Sequence, residues 1–140
     1  MKIKLSYLFM LLFLVACSPK SNNTSNANKS IDPKLVGIWY GNEKDQQTTG
    51  VEKKWVMNRK EDGTYTIKFE FLQNGTTENL EEYGIWWVKD GKFYEKSSQS
   101  KKPDIYTYEA IGDDQIKFKS LSLTLPLDAP VYEFIDTRVK

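Results

Sequence analysis

The strongest constraint on the fold is a strict alternation of apolar and polar residues between Thr64 and Phe71. The odd-numbered positions of this segment are apolar and the even-numbered positions are polar. Because successive side chains of a strand point to opposite faces, the pattern predicts an antiparallel strand with one face in a core and the other in water.

The turns beside this strand predict the register of its neighbours. Residues 61–63 end in glycine and predict a three-residue loop, and Asn74 followed by Gly75 is the strongest short hairpin signal. Two more three-residue loops are predicted at 89–91 and 112–114. In this register the inward-facing side chains are Trp55, Met57, Arg59, Tyr65, Ile67, Phe69, Trp86, Tyr94, Tyr108 and Phe118.

The whole segment from 33 to 140 divides into about eight short strands joined by tight turns, with no convincing helix. The first strand is predicted at 35–41 and the last at 131–139. We therefore predict an all-β domain, an antiparallel up-and-down meander that closes into a barrel. The preceding segment, 17–32, is rich in serine and asparagine and has too few apolar groups to form a core, so we predict a flexible tether there.

Gly37-Ile38-Trp39 in the first strand resembles the G-x-W signature of the lipocalin and calycin group. In that group an arginine near the end of the last strand packs across the tryptophan and closes the barrel base, and Arg138 stands at that place here. The resemblance implies that the inward-facing residues contact a small hydrophobic ligand or lipid. An eight-stranded barrel is either filled by its own side chains or able to hold one small ligand, and both outcomes stay open.

Three details of the predicted barrel have alternative interpretations. Arg59 either meets an anionic end of a ligand or forms an ion pair at the rim. Glu82 falls on the inner face, where a lone carboxylate is costly, so it either meets a partner such as Arg59 or is turned outward by a bulge at Gly84, which we favour. The outward side chains of Ile85, Trp87 and Phe93 form either a partner surface or a patch covered by 96–104 or by the tether.

The first 16 residues have the pattern of a secretory signal. Lys2 and Lys4 precede an apolar run that is too short to cross a bilayer as a helix. The sequence Leu-Val-Ala-Cys at 14–17 resembles the bacterial lipobox, and Cys17 is the single cysteine of the chain. The resemblance implies a lipoprotein of the cell envelope, with 1–16 cleaved and Cys17 carrying a diacylglyceryl group and a further fatty acyl chain such as palmitate. In a Gram-negative envelope it implies anchoring in the outer membrane, facing the periplasm.

Composition narrows the function classes. The chain has no histidine, which excludes Ser-His-Asp and Cys-His catalysis and histidine-ligated metals. We therefore expect no enzyme activity, no metal and no other cofactor. Once 1–16 are removed, 18 basic side chains stand against 19 acidic ones, so no nucleic acid is expected as a partner. Two functions remain: a membrane-tethered barrel for a small apolar ligand, or an envelope protein-interaction module such as an inhibitor, immunity protein or assembly factor.

Replacing Cys17 by serine tests the lipoprotein prediction. Both the attachment of the lipid and the removal of the signal depend on the thiol in this class of protein, so Cys17→Ser is expected to leave the protein uncleaved or free of the membrane. Metabolic labelling with a fatty acid and fractionation of the membranes measure both effects. A mature, acylated Cys17→Ser protein would contradict the prediction.

Overall fold

The computed structural model describes residues 29–140, so the predicted signal, Cys17 and most of the predicted tether lie outside the described residues. Eight antiparallel strands form a closed barrel in which each strand pairs with the next and the last pairs with the first. This confirms the predicted fold class.

Within 29–140 the only helix is a short 3-10 helix, Pro33–Leu35. The strands are β1 Gly37–Lys44, β2 Val51–Arg59, β3 Thr64–Gln73, β4 Thr76–Lys89, β5 Lys92–Ser97, β6 Asp104–Ile111, β7 Gln115–Ser122 and β8 Glu133–Arg138.

The central hairpins have the register that the alternating pattern predicts. Trp55 of β2 stands opposite Phe69 of β3, and Phe69 stands opposite Leu80 of β4. The pairing of Tyr108 with Phe118 across β6 and β7 also agrees with the prediction. Most of the inner face of this part of the barrel could therefore be derived from hydrophobic alternation and turn length alone.

The turn between β4 and β5 is shorter than predicted, and this moves one strand by one position. Lys89 pairs with Lys92, which leaves Asp90 and Gly91 as a two-residue turn with φ angles of 52° and 70°. Two consecutive positive φ angles define the type I′ turn, which Asp-Gly sequences favour. A shift of one residue exchanges the two faces of a strand.

The shift corrects two residue assignments. Phe93, predicted to lie in an outward patch, points into the core and is only 1% exposed. Tyr94, predicted to point inward, instead stands opposite Trp87 on the outer face, with 5.3 Å between the stacked rings. The predicted patch of Ile85, Trp87 and Phe93 therefore does not exist as a continuous surface.

Residues placed in the tether by the sequence pattern cover part of that outer face. The backbone of Ser30 exchanges two hydrogen bonds with Val88, at 2.9 and 2.7 Å. The ammonium group of Lys29 lies 4.1 Å from the centroid of the Trp87 ring. Asp32 caps the short helix by accepting a hydrogen bond from the amide of Lys34. The packed domain thus includes these residues, before the predicted boundary at Pro33.

The favoured bulge at Gly84 is also absent, because the pairing of β3 with β4 is regular through this position. Glu82 keeps its inward orientation and accepts a hydrogen bond from the hydroxyl of Tyr65 at 2.7 Å, so its partner is not Arg59. Glycine is needed at position 84 for a different reason. A Cβ at Gly84 would overlap the carbonyl oxygen of Lys96, so only glycine allows β4 and β5 to approach this closely.

The base of the barrel is closed by the contact expected from the family resemblance. Trp39 of β1 pairs with Arg138 of β8, and the guanidinium carbon lies 4.1 Å from the centroid of the Trp39 ring. Arg138 also donates hydrogen bonds to the carbonyl oxygens of Val36 and Lys34, both at 2.9 Å. The indole N–H of Trp39 donates to the carbonyl of Leu35 at 2.9 Å. This group joins the first strand, the short helix and the last strand.

Arg138→Lys is expected to lower the free energy of unfolding by about 1–2 kcal/mol, because lysine keeps the charge but loses the planar stacking and the paired donors. Urea denaturation of the soluble chain 18–140 measures the change. Lys140→Ala serves as the matched control, since Lys140 forms an exposed ion pair with Asp114 and little effect is expected. If Arg138→Lys were as stable as the wild type, the closing role of the contact would be refuted.

Candidate functional site

The interior of the barrel is packed at one end and hollow at the other. Near the base, the ring of Phe93 contacts those of Trp86 and Phe118, and each of these three residues is at most 1% exposed. The other end contains a cavity of about 560 Å³, which is within the usual range of small-molecule sites. Its aromatic and aliphatic wall consists of Val51, Trp55, Met57, Ile67, Phe69, Phe71, Leu80, Tyr106, Leu123, Leu125, Tyr132 and Phe134.

A buried ion pair lies at the boundary between the two halves. Arg59 of β2 donates to the carboxylate of Asp136 of β8 at 2.5 Å, and the two residues are 1% and 0% exposed. The second oxygen of Asp136 accepts a hydrogen bond from the indole N–H of Trp55 at 2.9 Å. Both oxygens of the carboxylate therefore have a donor, which a buried charge requires.

The guanidinium of Arg59 is less completely paired. Among the described residues, its Nε and Nη1 atoms have no hydrogen-bond acceptor, although both atoms are buried. The guanidinium carbon lies 5.0 Å from the Phe118 ring centroid and 5.1 Å from that of Phe93, close enough for cation–π attraction. Aromatic faces therefore stabilise part of the charge, and Arg59 also lines the cavity.

A second buried pair lies farther up the wall. The ammonium of Lys53 is 3.6 Å from the carboxylate of Glu43 and donates a hydrogen bond to the side-chain oxygen of Gln47 at 2.5 Å. Burial lowers the pKa of Lys53, while the nearby Glu43 raises it. The ammonium also lies 4.8 Å from the ring centroid of Tyr132. Lys53 is therefore already occupied by partners within the protein.

Three further carboxylates lie on the inner wall. Glu95 and Asp104 stand directly opposite each other on β5 and β6, and Glu82 lies on the adjacent strand β4. The pKa of Glu95 is raised to about 8, mainly because the carboxyl is shielded from water. The like charges of Asp104, Glu82 and Asp136 also raise this pKa, and the positive charge of Arg59 lowers it. This wall therefore holds an excess of acidic groups.

The structure separates the predicted interior residues into two sets. Five of them line the cavity: Trp55, Met57, Arg59, Ile67 and Phe69. Four pack below it or toward the base: Tyr65, Trp86, Tyr108 and Phe118. The tenth is the outward Tyr94 described above. Arg59 lies inside the barrel rather than at its rim, and its ion-pair partner is Asp136.

Sequence analysis placed Arg59 and Glu82 on the inner face but missed other charged residues of the interior, although a signal for them exists. Asp136 lies two positions before the inward Arg138, and Lys53 lies two positions before the inward Trp55. Stepping by two along a strand keeps the same face, so both could have been assigned to the interior. Glu95 shares a face with Phe93 and was missed because that strand was misplaced by one residue.

Comparisons with known proteins did not assign a family, since no family model and no curated protein sequence matched the chain. Among residues 29–140, no cluster of three or more acidic, cysteine or histidine side chains is arranged to hold a metal ion. No helix in the described part of the chain is long and apolar enough to cross a membrane.

Glu95→Gln is expected to stabilise the protein in a pH-dependent way. A carboxyl whose pKa is about 8 when folded, against an ordinary value of 4.5, contributes stability below the ordinary pKa and loses it as the pH rises through about 8. Glutamine has no proton to lose, so the variant should gain roughly 1–3 kcal/mol over the wild type between pH 5 and pH 8.5.

Urea denaturation of the soluble chain 18–140 at the two pH values measures this gain. Glu81→Gln, on the exposed outer face of β4, is the matched control and should show no such change with pH. An equal effect of Glu95→Gln at pH 5 and pH 8.5 would mean that Glu95 ionises as freely as a surface carboxyl.

Proposed function

We propose that this chain is a membrane-anchored lipoprotein of the cell envelope whose lipocalin-like barrel binds a small, largely apolar molecule or lipid. In this proposal the protein is a binding protein rather than an enzyme, and it needs no cofactor. Cys17 carries the lipid anchor, and the cavity at the hollow end of the barrel is the binding site.

The single observation that carries the proposal is the cavity itself. The cavity has a volume of about 560 Å³, whereas the base of the same barrel is tightly packed. Because the chain has enough large side chains to fill the base, a lack of such residues does not account for the hollow end. Empty apolar volume costs a protein stability because the lining atoms lose contacts. A ligand placed against Phe69, Phe134 and Leu123 would restore those contacts.

The proposed anchor suits this role. Lipid attachment at Cys17 would hold the barrel close to a bilayer, where apolar molecules accumulate. Two or more acyl chains hold a protein stably on a membrane, whereas one chain does so only marginally. The packed domain begins near Lys29, so about a dozen residues would separate it from the anchor.

The alternative, an envelope protein-interaction module, is less well supported by the outer surface. Phe93 is buried, and Lys29 packs over Trp87, so the predicted aromatic patch is interrupted. Tyr83 and Ile85 remain exposed on that face. Scattered exposed apolar residues are ordinary on a soluble surface.

The proposed function is tested with the soluble chain 18–140. We expect native mass spectrometry of the protein purified from cells to show a retained small molecule, and calorimetric titration with decan-1-ol to show saturable binding. Leu123→Trp should reduce both signals because Leu123 lines the cavity. Leu121→Trp, two residues earlier and 52% exposed, is the matched control and should behave as the wild type.

A protein that carries no small molecule and also shows no saturable binding of decan-1-ol would contradict the proposed function. Equal losses in Leu123→Trp and Leu121→Trp would place the binding elsewhere and would contradict it too.

A further inference from the structure

The charges of the cavity wall are unbalanced. Five carboxylates line it, from Glu43, Glu78, Glu82, Glu95 and Asp104, against two cations, Lys53 and Arg59. Both cations already have carboxylate partners. Lys53 pairs with Glu43 inside the cavity, and Arg59 pairs with Asp136 beneath it. The cavity therefore retains acidic groups without a basic partner among the described residues.

Of the four carboxylates that remain, Glu78 is exposed, and the other three have distinct environments. Glu82 accepts one hydrogen bond from Tyr65, and Asp104 accepts one from the amide of Thr124 at 2.6 Å. Glu95 has no hydrogen bond or ion pair with any side chain of the described region, although it lines the same cavity as Arg59. Such a group is costly to ionise unless a positive charge arrives.

The unpaired donors of Arg59 are a second and independent sign that the site is incomplete. Its Nε and Nη1 atoms are buried, have no acceptor within 29–140, and belong to a residue that lines the same cavity. Leaving buried donors unsatisfied costs more than an average hydrogen bond contributes. An ionised Glu95 on the wall of the same cavity would supply an acceptor for them, directly or through a water molecule, provided that its own charge is balanced from the cavity side.

We infer that the ligand of the cavity is an organic cation, an amine joined to an apolar body, whose charged nitrogen is recognised by Glu95, while Glu82 and Asp104 contribute negative potential to the same wall. This inference rests on the proposed function and specifies the chemistry of its ligand. The apolar body lies against Phe69 and Phe134. The single charge of the amine offsets the charge of Glu95, which can then accept a hydrogen bond from Arg59.

Two other ligand types fit the wall less well. An anionic ligand would need a free cation, and the charges of Lys53 and Arg59 are already balanced by Glu43 and Asp136. A metal ion would need carboxylates that converge on one point, and no such cluster occurs in the part of the chain that the structure describes. A singly charged ammonium needs only one carboxylate within hydrogen-bond distance, and the other carboxylates of the wall stabilise its charge from farther away.

The test compares three ligands with the same ten-carbon chain: decylamine, decan-1-ol and decanoate. Each is titrated into the soluble chain 18–140 at pH 7, below its aggregation concentration, and binding is measured by calorimetry. Decylamine should bind at least about tenfold more tightly than decan-1-ol, because the ammonium forms charge-assisted hydrogen bonds in a site of low dielectric. Decanoate should bind more weakly than either.

Amide variants show which groups cause the preference. The triple variant Glu82→Gln, Glu95→Gln and Asp104→Asn keeps the acceptor oxygens for Tyr65 and Thr124 but removes the charges, so decylamine and decan-1-ol should bind it within about threefold of each other. The matched control replaces Glu81 and Glu109, exposed on the outer face, by glutamine and should keep the wild-type preference. If the triple variant does not fold, Glu95→Gln alone should still reduce the preference severalfold.

The outcomes separate this inference from the proposed function. Equal binding of decylamine and decan-1-ol by the wild type would overturn the inference and leave the apolar binding site standing. Tighter binding of decanoate would overturn it in favour of an anionic ligand. Failure of all three ligands to bind would overturn both proposals. Loss of the amine preference in the outer-face control would show that surface charge, and not the cavity, attracts the amine.

Discussion

The buried ion pair between Arg59 and Asp136 is the interaction on which the rest of the interior depends. It joins β2 to β8 and leaves both side chains almost without solvent contact. A charge pair of this kind is costly to bury, and removing either partner would leave the other uncompensated. The indole N–H of Trp55 and the rings of Phe93 and Phe118 supply the remaining stabilisation. The aromatic packing of the base ends at this polar layer, and the cavity begins above it.

This division links the fold to the proposed function. The packed half is closed by the contact of Trp39 with Arg138 and contains the buried rings of Trp86, Phe93 and Phe118. The upper half can therefore carry groups that would be harmful in a filled core, including the weakly paired carboxyl of Glu95. Buried ionisable groups with shifted pKa values are concentrated at functional sites, which is consistent with binding in this half.

Much of the fold could be predicted from the sequence because two local rules agree. The alternation around Tyr65 to Phe71 and the turn at Asn74 and Gly75 specify the same register, and a one-residue error would expose the whole apolar face. The turn at Asp90 and Gly91 was predicted wrongly because the sequence suits both a two-residue and a three-residue loop, and the neighbouring strand is apolar on both faces. Alternation places both Arg59 and Asp136 on the inner face, but it does not show that the two side chains pair. The partners lie 77 residues apart, and their contact depends on how β2 and β8 are placed by the closed barrel.

The most direct test of this account is a crystal structure of the soluble chain 18–140 grown with decylamine. The account predicts an intact pair between Arg59 and Asp136, the alkyl chain against Phe69 in the hollow half, and the amine nitrogen within hydrogen-bond distance of the Glu95 carboxylate. A barrel whose upper half is filled by its own side chains, or a ligand held only on the outer surface, would contradict it.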